Sequence, residues 1–120
     1  MNKNITFFFV FFILTSFTAC ITPVERVKWS SVDLFGNRIE VRKITSAIAG
    51  SSGSVTWGYG GRIIEENSEI VTAKIIKGKE ESVLHFLYQK SSSECRLINF
   101  EKNGEAVSPF MIYKYLGKNR

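Results

Sequence analysis

The sequence is poor in the residues that usually carry chemistry: among 120 residues it has one histidine, His85, and two cysteines, Cys20 and Cys95. A zinc site takes its ligands largely from closely spaced Cys and His, and a redox site typically has a C-x-x-C pair. A catalytic triad needs a nucleophile and an orienting acid around its histidine, and His85 lies in an alternating run without such a motif. We therefore expect a protein that is not an enzyme, with no catalytic residues, metal site, cofactor or small-molecule substrate.

The chain also lacks an apolar run long enough to cross a membrane, which takes about 20 residues. Residues 5–14 are apolar except for Thr6, and they follow a polar start with one positive charge at Lys3. Small or hydroxylated residues come next: Thr15, Ser16, Thr18 and Ala19. Positive, apolar, then small is the order of a secretory signal peptide. The alternative, a permanent single-pass anchor, would need the weakly apolar stretch to Ile21 within its helix. The sequence thus predicts an exported protein with a signal peptide over residues 1–19.

The segment Phe17-Thr18-Ala19-Cys20 resembles the lipobox of bacterial lipoproteins, which has a large apolar residue, a small one, Ala or Gly, and then Cys. The resemblance implies that Cys20 becomes the first residue of the mature protein and carries the lipid. Each buried methylene contributes about 0.8 kcal/mol, and two or more acyl chains anchor a protein stably. Because Ile21 follows the cysteine where inner-membrane lipoproteins commonly have Asp, the resemblance implies an anchor in the outer membrane, facing the periplasm, in a Gram-negative cell. In a Gram-positive cell it implies an anchor on the outer face of the only membrane.

The two cysteines have different expected roles. A lipidated Cys20 cannot form a disulfide, which leaves Cys95 alone in a strand-like run, where a lone cysteine most often behaves as a small buried apolar side chain. An intermolecular disulfide and a Cys20–Cys95 disulfide are the alternatives in an oxidising compartment.

The chain after residue 19 has 101 residues and, without Lys3, 15 basic against 11 acidic side chains, a net charge of +4. This is the size of one ordinary domain. We expect a lipidated cysteine and short extended tether over residues 20–25, a β domain over 26–116, and a basic tail over 117–120. The basic residues are spread along the chain, which is typical of a solvated surface and does not favour a nucleic-acid partner.

Alternation of apolar and polar residues predicts an all-β fold, a small antiparallel sandwich or barrel-like meander. Gly36-Asn37 is a two-residue hairpin signal. Pro109 would suit the start of a helix, but the tyrosines and isoleucine that follow favour a strand. The predicted strand pairs are 32–35 with 38–42, 70–76 with 82–88, 95–100 with 106–116 and, more weakly, 54–57 with 62–64.

Residues 49–62 hold five glycines in fourteen positions. They could form a recognition loop in which Tyr59 and Arg62 are exposed and bind a partner while Trp57 is buried, since aromatic residues and Arg lead the residue types of interface hot spots. The alternative is a flexible connection in which Trp57 points into the core and Tyr59 caps an edge of the sheet. The pattern for a phosphate-binding loop is absent.

Two functions fit these features. The first is a non-catalytic binding or structural accessory to an envelope protein complex, anchored in the membrane by its lipid. The second is an inhibitor or exclusion factor against an incoming enzyme or phage, because small β lipoproteins that inhibit lysozyme resemble this chain in size, anchor and its Ser51-Ser52-Gly53-Ser54 segment. A net charge of +4 counts against the second, since most lysozymes are basic and like charges repel.

Overall fold

The computed structural model describes residues 22–118. The predicted signal peptide and the lipidation site Cys20 lie outside the described residues. In chain order the elements are α1 Pro23–Lys28, β1 Ser31–Leu34, β2 Asn37–Glu40, α2 Val41–Ala49, β3 Ser54–Ile63, β4 Ser68–Lys77, β5 Glu80–Gln89, β6 Glu94–Lys102, β7 Glu105–Ala106, a 3₁₀ turn Pro109–Met111 and α3 Ile112–Lys118.

The strands form a five-stranded antiparallel sheet in the order β3-β4-β5-β6-β7 and a separate two-stranded sheet of β1 and β2. The predicted β fold is therefore confirmed, and each strand of the larger sheet pairs with the next one along the chain. The β1–β2 turn differs by one residue from the prediction: Leu34 pairs with Asn37, so Phe35 and Gly36 form the turn. Both have positive φ, 52° and 90°, which is the geometry of a type I′ turn.

One face of the large sheet carries the core. Val71 pairs with Phe86 and Ala73 with Leu84, and all four side chains are fully buried. Helices α1 and α2 pack against this inner face, with Val27 and Ile44 wholly inaccessible to solvent. The inner face thus buries the alternating apolar residues that the strand pattern required.

Helix α2 was missed by the strand prediction, which continued β2 to residue 42. The strand ends at Glu40, and the helix begins at Val41 without a side-chain cap. Val41, Ile44 and Ile48 are buried, a spacing of three and four residues that places them on one face of a helix. That spacing was readable in the sequence, but the β-branched residues and the missing cap concealed it.

The prediction of a strand over 110–116 was wrong, because Pro109–Met111 is a 3₁₀ turn and Ile112–Lys118 an α-helix. The Ser108 hydroxyl accepts a hydrogen bond from the Phe110 N–H at 3.2 Å, and Pro109 occupies the first position, where its missing N–H costs nothing. The buried Ile112 then anchors α3 in the core. The helix also takes up the first two residues of the predicted tail.

The predicted extended tether is likewise corrected. Helix α1 begins at Pro23, and the Thr22 hydroxyl accepts a hydrogen bond from the Glu25 N–H at 3.2 Å. Thr-Pro is a typical helix start, since Thr caps the first turn and Pro fits the first helical position. Residues 23–25 of the predicted tether therefore belong to helix α1.

Candidate binding surfaces

The glycine-rich stretch is a strand and not a loop. Strand β3 pairs with β4 from Ser54 opposite Ile76 to Ile63 opposite Ser68, with a bulge between Tyr59 and Gly61. At Gly60, an added Cβ would lie 2.9 Å from the Ile70 Cγ2. The recognition-loop and flexible-connection interpretations of residues 49–62 are therefore both wrong over β3, and Gly60 is explained by close packing at the bulge.

Tyr59 and Arg62, the predicted binding residues, are both exposed, and 53% of Tyr59 is accessible to solvent. The Tyr59 hydroxyl donates to Glu69 Oε1 at 3.4 Å, and the Arg62 Nη2 donates to Asn67 Oδ1 at 3.1 Å. Trp57 is half-buried and stacks on Phe86 with ring centroids 6.3 Å apart. The structure thus holds Tyr59 and Arg62 at one end of the sheet.

Glu69 lies at the centre of this end of the sheet and is almost fully buried. Its Oε1 also lies 3.5 Å from the Lys90 ammonium, while its buried Oε2 has no hydrogen-bond partner. Burial raises the pKa of Tyr59, the negative charge and hydrogen bond of Glu69 raise it further, and Arg62 opposes the rise. We call Tyr59, Arg62, Asn67, Glu69 and Lys90 the polar end cluster. Its geometry brings one aromatic ring and two cations together around a buried carboxylate.

His85 lies on the opposite, outer face of the sheet, partly buried as the sequence indicated. Its Nε2 is 3.8 Å from the Glu101 Oε2, and the other Glu101 oxygen accepts a hydrogen bond from Asn99 Nδ2 at 3.1 Å. Cys95 is buried among the inner-face core residues, so the sheet separates its thiol from the imidazole. The structure does not bring His85 and Cys95 together as a base and a nucleophile.

Cys95 is a free, buried thiol. Burial raises its pKa to about 12, so the reactive thiolate is scarce at neutral pH. The prediction that it serves as a small buried apolar side chain is confirmed. Among residues 22–118, no three His, Cys, Asp or Glu side chains lie close enough together to hold a metal ion.

A second exposed aromatic surface was not predicted. Phe35 from the β1–β2 turn and Phe110 from the 3₁₀ turn meet edge to face at 5.4 Å, and Phe110 lies 5.3 Å from the Tyr113 ring. Phe35 and Phe110 are 64% and 60% exposed. The Tyr113 hydroxyl donates to the Leu34 carbonyl and accepts from Asn37 Nδ2. Phe35, Phe110 and Tyr113, the aromatic cluster, are held in place although two of the three rings face solvent.

A groove of about 650 Å³ adjoins the aromatic cluster, because Tyr113 belongs to both. It lies between α2, α3 and β2, and we call it the helix groove. Lys43 brings a positive charge to its wall. The residues that line it are Ile39, Lys43, Ser46, Ala47, Tyr113, Leu116 and Gly117. Apolar side chains with one cation at the wall suit a partner with apolar and acidic side chains.

Comparisons with protein-family models, with curated proteins and with solved structures find no match to this chain. Within residues 22–118, no helix has the length and apolar character needed to span a bilayer.

Proposed function

We propose that this chain is an exported lipoprotein whose small β domain binds another envelope protein at the membrane surface and performs no catalysis. The observation that carries the binding role is the aromatic cluster next to the helix groove. Contiguous exposed apolar surface on a small soluble domain commonly marks a site of interaction. Aromatic side chains contribute most when a partner covers them fully.

The anchor is supported by the lipobox-like Phe17-Thr18-Ala19-Cys20 and by the position of α1. Only Ile21 and Thr22 separate Cys20 from the first helical residue, Pro23. The three steps from Cys20 to Pro23 span at most about 11 Å, so a domain with a lipid on Cys20 would lie close to the bilayer. A partner would then be another protein of the same membrane or its periplasmic side.

Metabolic labelling with a fatty acid tests the anchor. The full chain produced in bacteria should incorporate the label and lose residues 1–19, whereas Cys20→Ser should do neither. Equal labelling of Cys20→Ser, or retention of Met1 on the exported wild type, would contradict the lipoprotein assignment.

Capture from solubilised envelopes tests the binding surface. Phe35→Ser with Phe110→Ser should recover at least tenfold less of the partner than the wild type recovers. The matched control is Ile64→Ser, which removes an apolar side chain that is 82% exposed at the β3–β4 turn. Equal loss in the control would contradict a specific role for the aromatic cluster.

The inhibitor alternative has a direct assay of its own. Residues 51–53 form a short turn in which the Gly53 N–H donates to the Ala49 carbonyl at 2.9 Å, so this segment does not project far from α2. We expect no inhibition of lysozyme at a tenfold molar excess of the protein. Inhibition that is lost on changing Ser51 and Ser52 to Lys would favour the alternative and exclude the accessory role.

A further inference from the structure

We infer that the open edge of β3 is a self-association site, at which β3 of a second copy pairs antiparallel across a two-fold axis and joins the two large sheets into one. In the part of the chain that the structure describes, β4 is the only strand that pairs with β3. The other side of β3 therefore presents backbone N–H and C=O groups that a second strand can pair with.

The composition of β3 favours this pairing. Proteins usually protect an exposed edge with Lys, other charged residues, Pro or a bulge. The regular part of β3, Ser54 to Tyr59, contains no charged residue and no proline. The bulge begins only after Tyr59, and Arg62, the one charged residue of the strand, lies beyond it.

A second copy is favoured as the occupant because the segment is complementary to itself. Side chains directly opposite each other in an antiparallel pair lie on the same face of the sheet. Pairing centred on Trp57 places the two Trp57 residues opposite each other, Val55 opposite Tyr59, and Thr56 opposite Gly58. No like charges of β3 meet in this pairing, and the exposed part of Tyr59 gains an apolar neighbour. The Lys28 ammonium lies close to the proposed axis, 5.7 Å from the Trp57 ring, and it is paired with Glu25 at 3.3 Å. Such an isologous interface closes after two copies.

Cross-linking of the full chain in bacterial membranes tests this inference. Thr56 is exposed, and Thr56→Cys places a thiol next to the proposed axis. A short bifunctional maleimide should then give a product of twice the mass of the chain. The matched control is Ser92→Cys, which introduces an exposed thiol at the β5–β6 turn. The buried Cys95 gives little background in either variant, and we expect at least tenfold more double-mass product from Thr56→Cys.

A second variant tests whether the cross-link arises from pairing of two β3 strands or from random collision of two chains. Tyr59→Lys in the Thr56→Cys background puts a charge opposite Val55 of the other copy, and it should reduce the cross-linked product at least fivefold. Sedimentation of the unmodified chain in detergent should show the same dimer. Equal product from Ser92→Cys and Thr56→Cys overturns the inference, and so does a monomer in sedimentation. A product of any other mass also overturns it, because β3 would then take a strand of a different protein.

Discussion

Strands β3 and β6 are the outermost long strands of the same sheet, and their outer edges differ in coverage and charge. Along β6, β7 pairs with Glu101 and Lys102, the Val107 N–H donates to the Phe100 carbonyl at 2.9 Å, and β1 packs nearby. Strand β6 also carries charged residues at alternate and terminal positions: Glu94, Arg96, Glu101 and Lys102. Strand β3 has neither a covering strand within the described residues nor a charge in its regular part.

The difference indicates that the two edges avoid unwanted strand pairing in different ways. Strand β7 covers only the last residues of β6, Glu101 and Lys102, and the charged Glu94 and Arg96 lie along the uncovered part, where charge discourages pairing with a strand of another chain. An edge that is left open and uncharged is a hazard for aggregation unless it has a regular occupant. The β6 side is thus expected to depend on intramolecular packing, and the β3 side on contact with another chain.

The largest expected effect is on packing at the covered edge. Phe100 of β6 is 1% exposed, and Phe100→Ala should lower the free energy of unfolding by about 3–5 kcal/mol, as buried Phe to Ala changes do. Trp57→Ala on β3 should cost about half as much, because Trp57 is only half-buried. Urea unfolding of a soluble form that begins at Ile21 measures both. A larger loss for Trp57→Ala would contradict the contrast between the edges.

The second effect is a pH dependence of the free energy of unfolding, which arises from the buried Cys95 of β6. Its folded-state pKa is about 12 against a reference of 9.0, so the folded state favours the protonated thiol. The resulting stability is fully present below pH 9 and is lost as the pH rises toward 12. Between pH 8 and pH 10 the wild type should lose roughly 1 kcal/mol more than Cys95→Ala, measured by urea unfolding at each pH. If the free energy of unfolding falls equally with pH in both proteins, the Cys95 thiol is accessible to solvent in the folded state.

The β4–β5 pair could be predicted because both strands follow simple alternation, whereas the predicted pair of 54–57 with 62–64 was wrong because both runs belong to the single strand β3. Residues 70–76 and 82–88 fall within β4 and β5, and their predicted pairing is correct. The helices could not be read in the same way. In α2 and α3, β-branched and aromatic residues give a local preference for strand, and tertiary burial of Ile44 and Ile112 overrides it.

The two candidate surfaces also differ in whether the sequence could predict them. The exposure of Tyr59 and Arg62 was predicted from the concentration of glycine around them. The aromatic cluster could not, because Phe35 and Phe110 are 75 positions apart in the sequence. Their contact depends on a helix, α3, that the pattern of residues did not reveal.

A third prediction concerns the attachment of the β1–β2 hairpin that packs beside β6. Tyr113→Phe removes the hydroxyl that donates to the Leu34 carbonyl and accepts from Asn37, but keeps the ring contact with Phe110. A typical buried hydrogen bond contributes about 1 kcal/mol, and we expect that loss in urea unfolding. Hydrogen exchange of the β1 and β2 amides should quicken while exchange in β4 stays unchanged. If the β4 amides exchange faster by the same factor, the hydroxyl supports the whole fold and not the hairpin alone.

The smallest effect is at the open edge and concerns the phenol of Tyr59. Burial and Glu69 raise its pKa, and Arg62 lowers it. Glu69→Gln should therefore shift the titration of Tyr59 downward, and Arg62→Ala should shift it upward. The ultraviolet absorbance of ionised tyrosine measures the shift, with the matching Tyr59→Phe protein subtracted to remove the other three tyrosines.

The same titration also tests what covers β3. If a second copy pairs with this edge, Tyr59 becomes more buried as the protein concentration rises, and its pKa should rise with it because desolvation disfavours the phenolate. The pKa of a monomer would be independent of concentration. A shift that depends on concentration in the wild type, and disappears in Thr56→Lys, would place the regular part of β3 at the dimer interface. A constant pKa would leave β3 as an edge protected only by its bulge.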